Sequence, residues 1–149
     1  MKKILYIDLD NVLVNFPSAF PKLDKSILDA PGDKDDIPGI FALMDPIDGA
    51  ISAFEELSQV FDVYILSTSP WNNPSAWSDK LEWVKKYLGQ PAHKRLILTH
   101  HKNLNMGDYL IDDRMKNGAS EFAGEFIHFG SETFPDWESV LRYLLPNKI

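Results

Sequence analysis

Ile4-Leu5-Tyr6-Ile7-Asp8-Leu9-Asp10 is the stretch that decides the fold. Four apolar residues followed by turn-forming polar residues are typical of a buried strand in a parallel sheet. Tyr109-Leu110-Ile111, which leads into Asp112-Asp113, repeats this pattern later in the chain. In open α/β sheets, ligands bind beyond the carboxyl ends of the strands. The two acidic clusters are therefore predicted to meet at one edge of a sheet.

Strands and helices alternate along the chain. Apolar runs predict strands at residues 3–7, 62–66, 95–98, 109–111 and 125–129. Apolar residues at helical spacing predict helices at 47–60, 75–88 and 135–145, and a short one at 120–122. The residues predicted to face inward on the three long helices are Ala50, Ile51, Phe54, Leu57 and Val60; Trp77, Leu81, Val84 and Leu88; and Trp137, Val140, Leu141 and Leu144. This alternation predicts an α/β fold of parallel βαβ units in three layers.

The segment from about residue 15 to residue 46 interrupts the alternation. It carries repeated prolines, the charge run Asp33-Lys34-Asp35-Asp36 and scattered aromatic residues, and it favours at most a short helix at 18–29. Long connections inside compact domains are usually functional lids or disordered segments. Because this one follows the first strand and is partly apolar, we predict a small cap over the sheet edge, within a single domain of residues 1–149.

The composition narrows the class of protein. The chain has 149 residues, of which 44% are apolar and 25% charged, as in ordinary globular domains. Its formal net charge of −7 leaves no basic surplus for a nucleic acid polymer or an anionic membrane. The absence of cysteine excludes disulfides and thiolate catalysis, and no apolar run is long enough for a membrane span or a secretory signal. We therefore expect a cytoplasmic protein with a small-molecule partner; a homodimer stays open.

The acidic clusters predict a metal. Three or four carboxylates at one sheet edge repel one another unless a cation lies among them. Mg²⁺ prefers oxygen ligands and is the predicted cofactor. The alternative interpretation treats these aspartates as solvated turn residues or helix caps. That alternative suits Asp10 alone, but it explains two acidic clusters at matching strand ends poorly.

Four motifs in order resemble those of the haloacid dehalogenase superfamily of phosphohydrolases: Asp8-Leu9-Asp10-Asn11-Val12, Ile65-Leu66-Ser67-Thr68-Ser69-Pro70, Lys102, and Leu110-Ile111-Asp112-Asp113-Arg114. Within it, the chain most resembles the 5′(3′)-deoxyribonucleotidases, which share the Thr-Ser-Pro motif, the lysine ten residues before Asp-Asp-Arg, and a Pro-Gly-aromatic cap element, here Pro38-Gly39-Ile40-Phe41. The likeness extends from Lys3 to about Leu145. It implies a Rossmann-like αβα fold and an Mg²⁺-dependent phosphatase that acts on small phosphomonoesters, above all nucleoside monophosphates.

The catalytic roles follow from this resemblance and from the chemistry of phosphate esters. Asp8 is the predicted nucleophile, which forms an aspartyl-phosphate, and Asp10 is the predicted general acid and base. Superfamily members that displace halide lack this second aspartate, so Asp10 favours phosphoryl transfer. Thr68 and Ser69 are predicted to donate to phosphoryl oxygens, although Thr68 also suits a helix cap or a turn. Lys102 is predicted to supply a fixed positive charge between the nucleophile and the phosphate.

The predicted metal ligands are Asp8, Asp10 through its backbone carbonyl, and the acidic pair Asp112 and Asp113. Asp113 is favoured as the direct ligand, with Asp112 as a second ligand or an orienting group, and the sequence does not separate these roles. Arg114 is expected to pair with a carboxylate of the site or with the substrate.

Several aromatic residues and histidines are weaker candidates for substrate contact or metal binding. Phe16 and Phe41 of the cap are the predicted contacts to a base or sugar, and Trp71 either stacks on a base or covers the core. His100 and His101 are adjacent and point to opposite sides of an extended segment, so we interpret them as loop residues and not as metal ligands. Three tryptophans at helical spacing are predicted to lie in the core: Trp77, Trp83 and Trp137.

The chain departs from the family pattern at two positions, one in the first motif and one shortly after it. Asn11 stands where glycine is usual, and Asn15 where an acidic residue is usual. Asparagine tolerates left-handed backbone, so Asn11 is compatible with the turn. The cap is shorter than in the vertebrate enzymes, which leaves the substrate open.

Three rival functions follow from the same sequence. They are a phosphatase for another small metabolite such as a sugar phosphate, a phospho-accepting signalling domain of the receiver type, and an inactive scaffold. A receiver domain carries two adjacent acidic residues at its first strand and an acceptor aspartate after its third. Here the first strand is followed by Asp8-Leu9-Asp10, and no aspartate follows Leu98.

Overall fold

A five-stranded parallel sheet forms the centre of the structure, a computed structural model that describes residues 1–148 and, at Lys148, the backbone only. In chain order the strands are β1 Ile4–Ile7, β2 Val14–Asn15, β3 Asp45–Pro46, β4 Asp62–Ser67, β5 Leu96–Leu98, β6 Tyr109–Asp112 and β7 Glu125–His128. The α-helices are α1 Lys25–Leu28, α2 Ala50–Val60, α3 Pro74–Tyr87 and α4 Trp137–Leu144. The predicted α/β fold and all five predicted sheet strands are confirmed, with ends that shift by one residue.

The sheet order β5-β4-β1-β6-β7 places β1 in the middle. Ile7 pairs with Ile65 of β4 on one side and with Ile111 of β6 on the other. The backbone amide of Asp8 then donates to the carbonyl of Ile111 at 2.9 Å. This register sets the carboxyl ends of β1 and β6 side by side, so the two acidic clusters are neighbours.

The two faces of the sheet are covered unequally. The face with Leu5, Ile7 and Ile65 packs against α2, α3 and α4, in the larger hydrophobic cluster. The opposite face, with Tyr6 and Leu110, forms a smaller cluster that includes Ala119 and Phe122 around the short 3₁₀-helix Ala119–Glu121. This 3₁₀-helix occupies the predicted helix at 120–122.

Residues 16–44, which we call the cap, form a set of short helices that packs against α3. The two-residue strands β2 and β3 pair in antiparallel fashion at its base. The predicted helix at 18–29 is instead a 3₁₀-helix, Phe16–Lys22, followed by the short α1, because Pro21 removes a backbone donor from the middle of the segment. Two further 3₁₀-helices, Lys34–Asp36 and Ile40–Leu43, complete the cap.

The predicted set of inward-facing residues on α3 is wrong at Leu81. Leu81 is 42% exposed, whereas Ala76, Lys80, Trp83 and Val84 are buried. Because Lys80 is buried in place of Leu81, the inner face of this helix is directed toward the cap and the sheet edge. On α2, Val60 is likewise exposed at the last helical position, while Trp137 of α4 is buried as predicted and donates its indole N–H to the carbonyl of Val12 at 2.8 Å.

No helix within residues 1–148 is long and apolar enough to cross a membrane.

Candidate active site

The acidic clusters meet at the carboxyl edge of the sheet, where open α/β sheets bind ligands. Asp8 directly follows β1, and Asp112 is the last residue of β6. Lys102 begins the 3₁₀-helix Lys102–Leu104, which follows β5. These residues, together with Asp10 and Thr68, line one narrow cleft. The structure thus brings together five of the residues that the sequence predicts for the reaction.

Lys102 joins the two acidic clusters. Its ammonium donates to Asp8 Oδ1 at 3.0 Å and to Asp112 Oδ2 at 2.6 Å, and the residue is only 3% exposed. The second oxygen of Asp112 accepts from the backbone N–H of Arg114 at 3.1 Å. Both oxygens of Asp112 are therefore engaged, which suits an orienting residue better than a direct metal ligand.

Burial and mutual repulsion raise the pKa of two carboxyl groups at this edge. Burial raises the pKa of Asp8 to about 7, against the attraction of Lys102 and with the help of Asp112 and Asp10. Burial, the charge of Asp8 and a hydrogen bond with that carboxyl raise the pKa of Asp113 to about 6. Burial alone would lower the pKa of Lys102, but the charges of Asp8 and Asp112 outweigh it and raise that pKa. Lys102 thus pairs with two carboxyl groups of this edge, those of Asp8 and Asp112.

The donor set fits a hard divalent cation. Oxygens of Asp8, Asp112 and Asp113 all lie within 4.8 Å of one another. Such a group of carboxylate oxygens, with Asp8 and Asp112 buried and Asp113 half-buried, has the chemistry that Mg²⁺ prefers. Asp10 is outside this group because its side chain is directed elsewhere, so the contact expected of Asp10 is the one through its backbone carbonyl.

The Asp10 carboxyl is held by a residue that the sequence interpretation missed. Lys80 of α3 donates to Asp10 Oδ2 at 3.0 Å, while Asp10 Oδ1 is buried and has no hydrogen-bond partner among the residues that the structure describes. The signal in the sequence was positional, since Lys80 lies four residues after Ala76 and four before Val84, on the buried face. Asn11 supplies the turn at this point with φ of 62°, as its tolerance of left-handed backbone predicts.

The Thr68–Pro70 turn, a predicted phosphate-binding element, follows β4. The Thr68 hydroxyl donates to the carbonyl of Thr99 at 2.7 Å, so its proton is engaged within the protein. The Ser69 hydroxyl is buried and has no hydrogen-bond partner within the described part of the chain. Trp77, predicted as core, is half-buried and fixes the turn by donating its indole N–H to the Pro70 carbonyl at 3.0 Å. Of the two hydroxyls in this turn, that of Ser69 therefore keeps a hydrogen that no described residue accepts, whereas that of Thr68 does not.

The two cap phenylalanines differ in position. Phe16 is half-buried and lines a cleft of about 420 Å³, which also includes Asp10 and Arg114 and so continues the acidic cleft. Phe41 is 2% exposed. The Lys80 ammonium lies over its ring, and the ring of Phe16 packs against it edge to face. This placement differs from the prediction of a substrate contact for Phe41, because a buried ring offers no face to a base.

The remaining candidates lie at the rim or outside the site. Trp71 is 78% exposed, so it does not cover the core, and its ring lies 6.0 Å from that of His100. His101 follows in the same loop, as predicted, and neither histidine belongs to the acidic group within 4.8 Å. Arg114 lines both clefts, and its charge lowers the pKa of Asp113.

Two larger hollows, of about 690 and 780 Å³, lie beside α2 and α3 near His93. Volume alone would favour them as binding sites. Neither contains a residue of the carboxylate group, so the chemistry of the narrow cleft is the better guide.

Comparisons with known proteins agree with this site. The family model "5′ nucleotidase, deoxy (Pyrimidine), cytosolic type C protein" matches residues 35–143. A 5′(3′)-deoxyribonucleotidase homologue of Vibrio phage KVP40 is 60% identical over 146 residues, or 96% of this chain and 85% of the relative. The human cytosolic-type 5′(3′)-deoxyribonucleotidase is 33% identical over 106 residues, which span 70% of this chain and 47% of the human protein.

Solved structures share the fold. The HAD-hydrolase YfnB from Bacillus subtilis, bound to magnesium, superposes with a TM-score of 0.67 at 11% identity and covers 97% of this chain and 99% of its own. A haloacid dehalogenase-like hydrolase from Xanthomonas campestris superposes with a TM-score of 0.57 at 9% identity, covering 98% and 97%. Taken with the family model and the phage relative, the sheet topology and the acidic edge lead to one conclusion: this chain belongs to the 5′(3′)-deoxyribonucleotidase family of phosphomonoester hydrolases, in the haloacid dehalogenase superfamily.

Proposed function

We propose that this chain hydrolyses 5′- or 3′-monophosphates of (deoxy)nucleosides, with Asp8 as the nucleophile. The observation that carries the proposal is the buried Asp8 carboxylate, held at 3.0 Å by Lys102 at the sheet edge and followed two residues later by Asp10. Hydrolysis of phosphate monoesters is among the slowest reactions in water, so an enzyme must position the nucleophile and neutralise charge. This edge of the sheet has groups suited to both tasks.

In the first step, an Asp8 oxygen attacks phosphorus as the ester P–O bond breaks. The Asp10 carboxyl gives its proton to the departing nucleoside oxygen, which leaves as an alcohol. Lys102 neutralises charge on the phosphoryl group, and the turn of Thr68 and Ser69, which reaches the same cleft at Thr68, supplies the proposed donors to its oxygens. The product of this step is an aspartyl-phosphate on Asp8.

In the second step, water attacks the phosphorus of the aspartyl-phosphate. The Asp10 carboxylate takes a proton from that water, and the bond between phosphorus and Asp8 breaks. Inorganic phosphate leaves, Asp8 returns as a carboxylate, and Asp10 is again protonated. The two steps together consume one ester and one water and produce one alcohol and one phosphate.

Mg²⁺ would be held by Asp8, Asp113 and the backbone carbonyl of Asp10, with Asp112 as the orienting residue that fixes Lys102. When bound, the ion supplies positive charge that lowers the repulsion between the nucleophile and the anionic phosphate. The close grouping of the Asp8, Asp112 and Asp113 oxygens, of which Lys102 pairs with those of Asp8 and Asp112, supports this assignment.

A sugar phosphate is the second candidate substrate. One aromatic residue, Phe16, lines the cleft beside the site, together with the charged residues Asp33, Lys34 and Asp35. Charged side chains form hydrogen bonds with hydroxyl groups, so the cleft also suits a polyol.

The test is phosphate release from a panel of dUMP, dTMP, nucleoside 3′-monophosphates, sugar phosphates and p-nitrophenyl phosphate, with Mg²⁺ and with EDTA. We expect Mg²⁺-dependent release that is fastest with nucleoside monophosphates, and none from the Asp8→Asn variant. Faster turnover of sugar phosphates would select the second candidate. No release from any ester would overturn the proposal, and a stable phosphoprotein without turnover would instead favour a receiver-type domain.

A further inference from the structure

Lys80 is the most deeply buried cation in the part of the chain that the structure describes, with 1% of its surface exposed. A lysine is almost never fully buried unless it is paired, because removing an ammonium from water costs several kcal/mol. Lys80 lies on α3, outside every motif of the sequence analysis. Its burial therefore needs an explanation in its surroundings.

All three ammonium hydrogens of Lys80 have acceptors. They are Asp10 Oδ2 at 3.0 Å, Ser67 Oγ at 3.0 Å and the carbonyl oxygen of Thr68 at 2.7 Å. The ring of Phe41 from the cap covers the ammonium at 4.8 Å, within range of a cation–π interaction. The group has no remaining donor and is closed off by the cap, so it is fixed in one position.

The two oxygens of Asp10 consequently differ. Oδ2 accepts from Lys80, and Oδ1 is buried with no hydrogen-bond partner in residues 1–148. Asp10 also lines the cleft that contains Asp8 and Lys102. A buried oxygen without a partner is costly in a folded protein unless a ligand completes it.

We infer that Lys80 is a positioning residue for the reaction: it holds Asp10 by Oδ2 and so presents Oδ1 to the substrate oxygen that takes the proton. The same contact ties the general acid to the Thr68 turn and to the cap through Phe41. This inference rests on the proposed function and adds a residue to its machinery. It requires that loss of Lys80 impairs proton transfer more than it impairs attack by Asp8.

The choice of leaving group separates these two effects. A nucleoside leaves as a strongly basic alkoxide unless Asp10 protonates it, whereas p-nitrophenolate is weakly basic and leaves without a proton. For Lys80→Met we expect kcat with dUMP to fall about 100-fold, at the lower end of the contribution of general acid–base catalysis. With p-nitrophenyl phosphate we expect a rapid first turnover, seen as a burst of p-nitrophenolate equal to the enzyme concentration. Slow steady-state turnover should follow, because the second step still needs Asp10.

Lys85→Met is the matched control, since Lys85 is on the same helix and is mostly exposed. It should leave the rates with both substrates unchanged. The double variant Asp10→Asn/Lys80→Met should be no slower with dUMP than Asp10→Asn alone, because Lys80 acts through Asp10. If Lys80→Met does not fold, Ser67→Ala decides the question, since it removes one anchor of the ammonium and should give the same pattern with a smaller loss.

Three results would overturn the inference. They are unchanged rates in folded Lys80→Met, an equal loss in the burst phase with p-nitrophenyl phosphate and in turnover of dUMP, or additive losses in the double variant. The inactivity of the wild-type protein toward every ester would instead be a failure of the proposed function. The two failures are therefore distinguishable.

Discussion

The ammonium of Lys102 lies 3.0 Å from Asp8 Oδ1, although 94 positions separate the two residues in the chain. The same ammonium reaches Asp112 at 2.6 Å, so one lysine holds together the ends of two adjacent strands. Because all three side chains are buried, solvent screens these pairs little. Lys102 therefore contributes both to the stability of the sheet edge and to the charge of the candidate site.

Replacing Lys102 with Met should damage both properties. Removing one partner of a buried ion pair leaves carboxylates uncompensated, at a cost of about 3–5 kcal/mol in the free energy of unfolding. Loss of a fixed charge at the phosphate should lower kcat by about 10³-fold. Urea unfolding and the phosphate-release assay measure the two effects. Lys85→Met again serves as control, and a Lys102→Met protein with normal stability would show that the pairs are not formed in solution.

Magnesium should stabilise the protein, and more so at higher pH. The pKa values of Asp8, about 7, and Asp113, about 6, exceed the ordinary value of 3.8. The folded state thus keeps protons that the unfolded state has lost, and this stabilisation is present below about pH 4 and lost as pH rises through 6 and 7. Metal-free protein should therefore lose stability between about pH 5 and 7.5. Mg²⁺ should stabilise the protein more at the higher pH, because Asp8 and Asp113 are then ionised and can bind the ion.

The measurement is thermal unfolding with EDTA and with Mg²⁺, each at about pH 5 and at about pH 7.5. Asp113→Asn is the control, since it removes one of the titrating groups and should flatten the pH dependence of the metal-free protein. A Tm increase with Mg²⁺ that is equal at both pH values would contradict the assignment of these carboxylates as ligands.

The acidic edge was predictable from sequence because a parallel sheet gathers the carboxyl ends of its strands. Given the strands that lead into Asp8 and Asp112, their meeting follows from the sheet geometry alone. Periodicity was a poorer guide on α3, where Leu81 is exposed and Lys80 is buried. A scale that treats lysine as a surface residue does not detect a lysine whose partners, Asp10 and Ser67, come from other elements.

The cap was less predictable for a related reason. Its apolar residues signal burial without indicating what they pack against, so Phe41 suggested a substrate contact although the ring packs on Lys80. Prolines marked the segment as irregular, but the placement of its 3₁₀-helices follows from tertiary contacts: Ile40–Leu43 packs against α3, and the other two pack against Ile40–Leu43. Such tertiary contacts override local propensity.

Gly118 allows the close approach that sets Lys102 in place. It adopts φ of +85°, and an added Cβ would lie 3.0 Å from the backbone nitrogen of Lys102 and 2.9 Å from that of Asn103. Gly118→Ala should therefore destabilise the protein by about 1–3 kcal/mol more than the same substitution at a left-handed glycine without close neighbours, because the backbone must move. It should also lower kcat, since Lys102 moves with it.

Gly130→Ala provides that comparison, because Gly130 has a similar φ of +87° and nothing within 4 Å of an added Cβ. Chemical unfolding of both variants measures the difference. Equal losses of stability in the two variants would mean that the crowding at Gly118 is relieved without cost.

Asn73 connects the cap to α3. Its buried amide donates to the carbonyls of Asp35 at 2.9 Å and Ile37 at 3.0 Å, while its own oxygen accepts from Ser75 at 2.6 Å. Asn73→Ala leaves two cap carbonyls without these donors, at a cost of about 1–3 kcal/mol. We expect a raised KM, with a smaller change in kcat, and faster proteolytic cleavage within residues 30–40.

Ser78→Ala, an exposed position on the same helix, is the control for α3. Unchanged KM and unchanged cleavage in Asn73→Ala would show that other contacts suffice to hold the cap.

The most direct measurement is acid quenching of the enzyme during turnover of dUMP with Mg²⁺, followed by peptide mapping for the phosphorylated residue. We expect one phosphoryl group on the peptide that contains Asp8, absent from the Asp8→Asn protein. A phosphoryl group on a different residue, or continued phosphate release by Asp8→Asn, would contradict it.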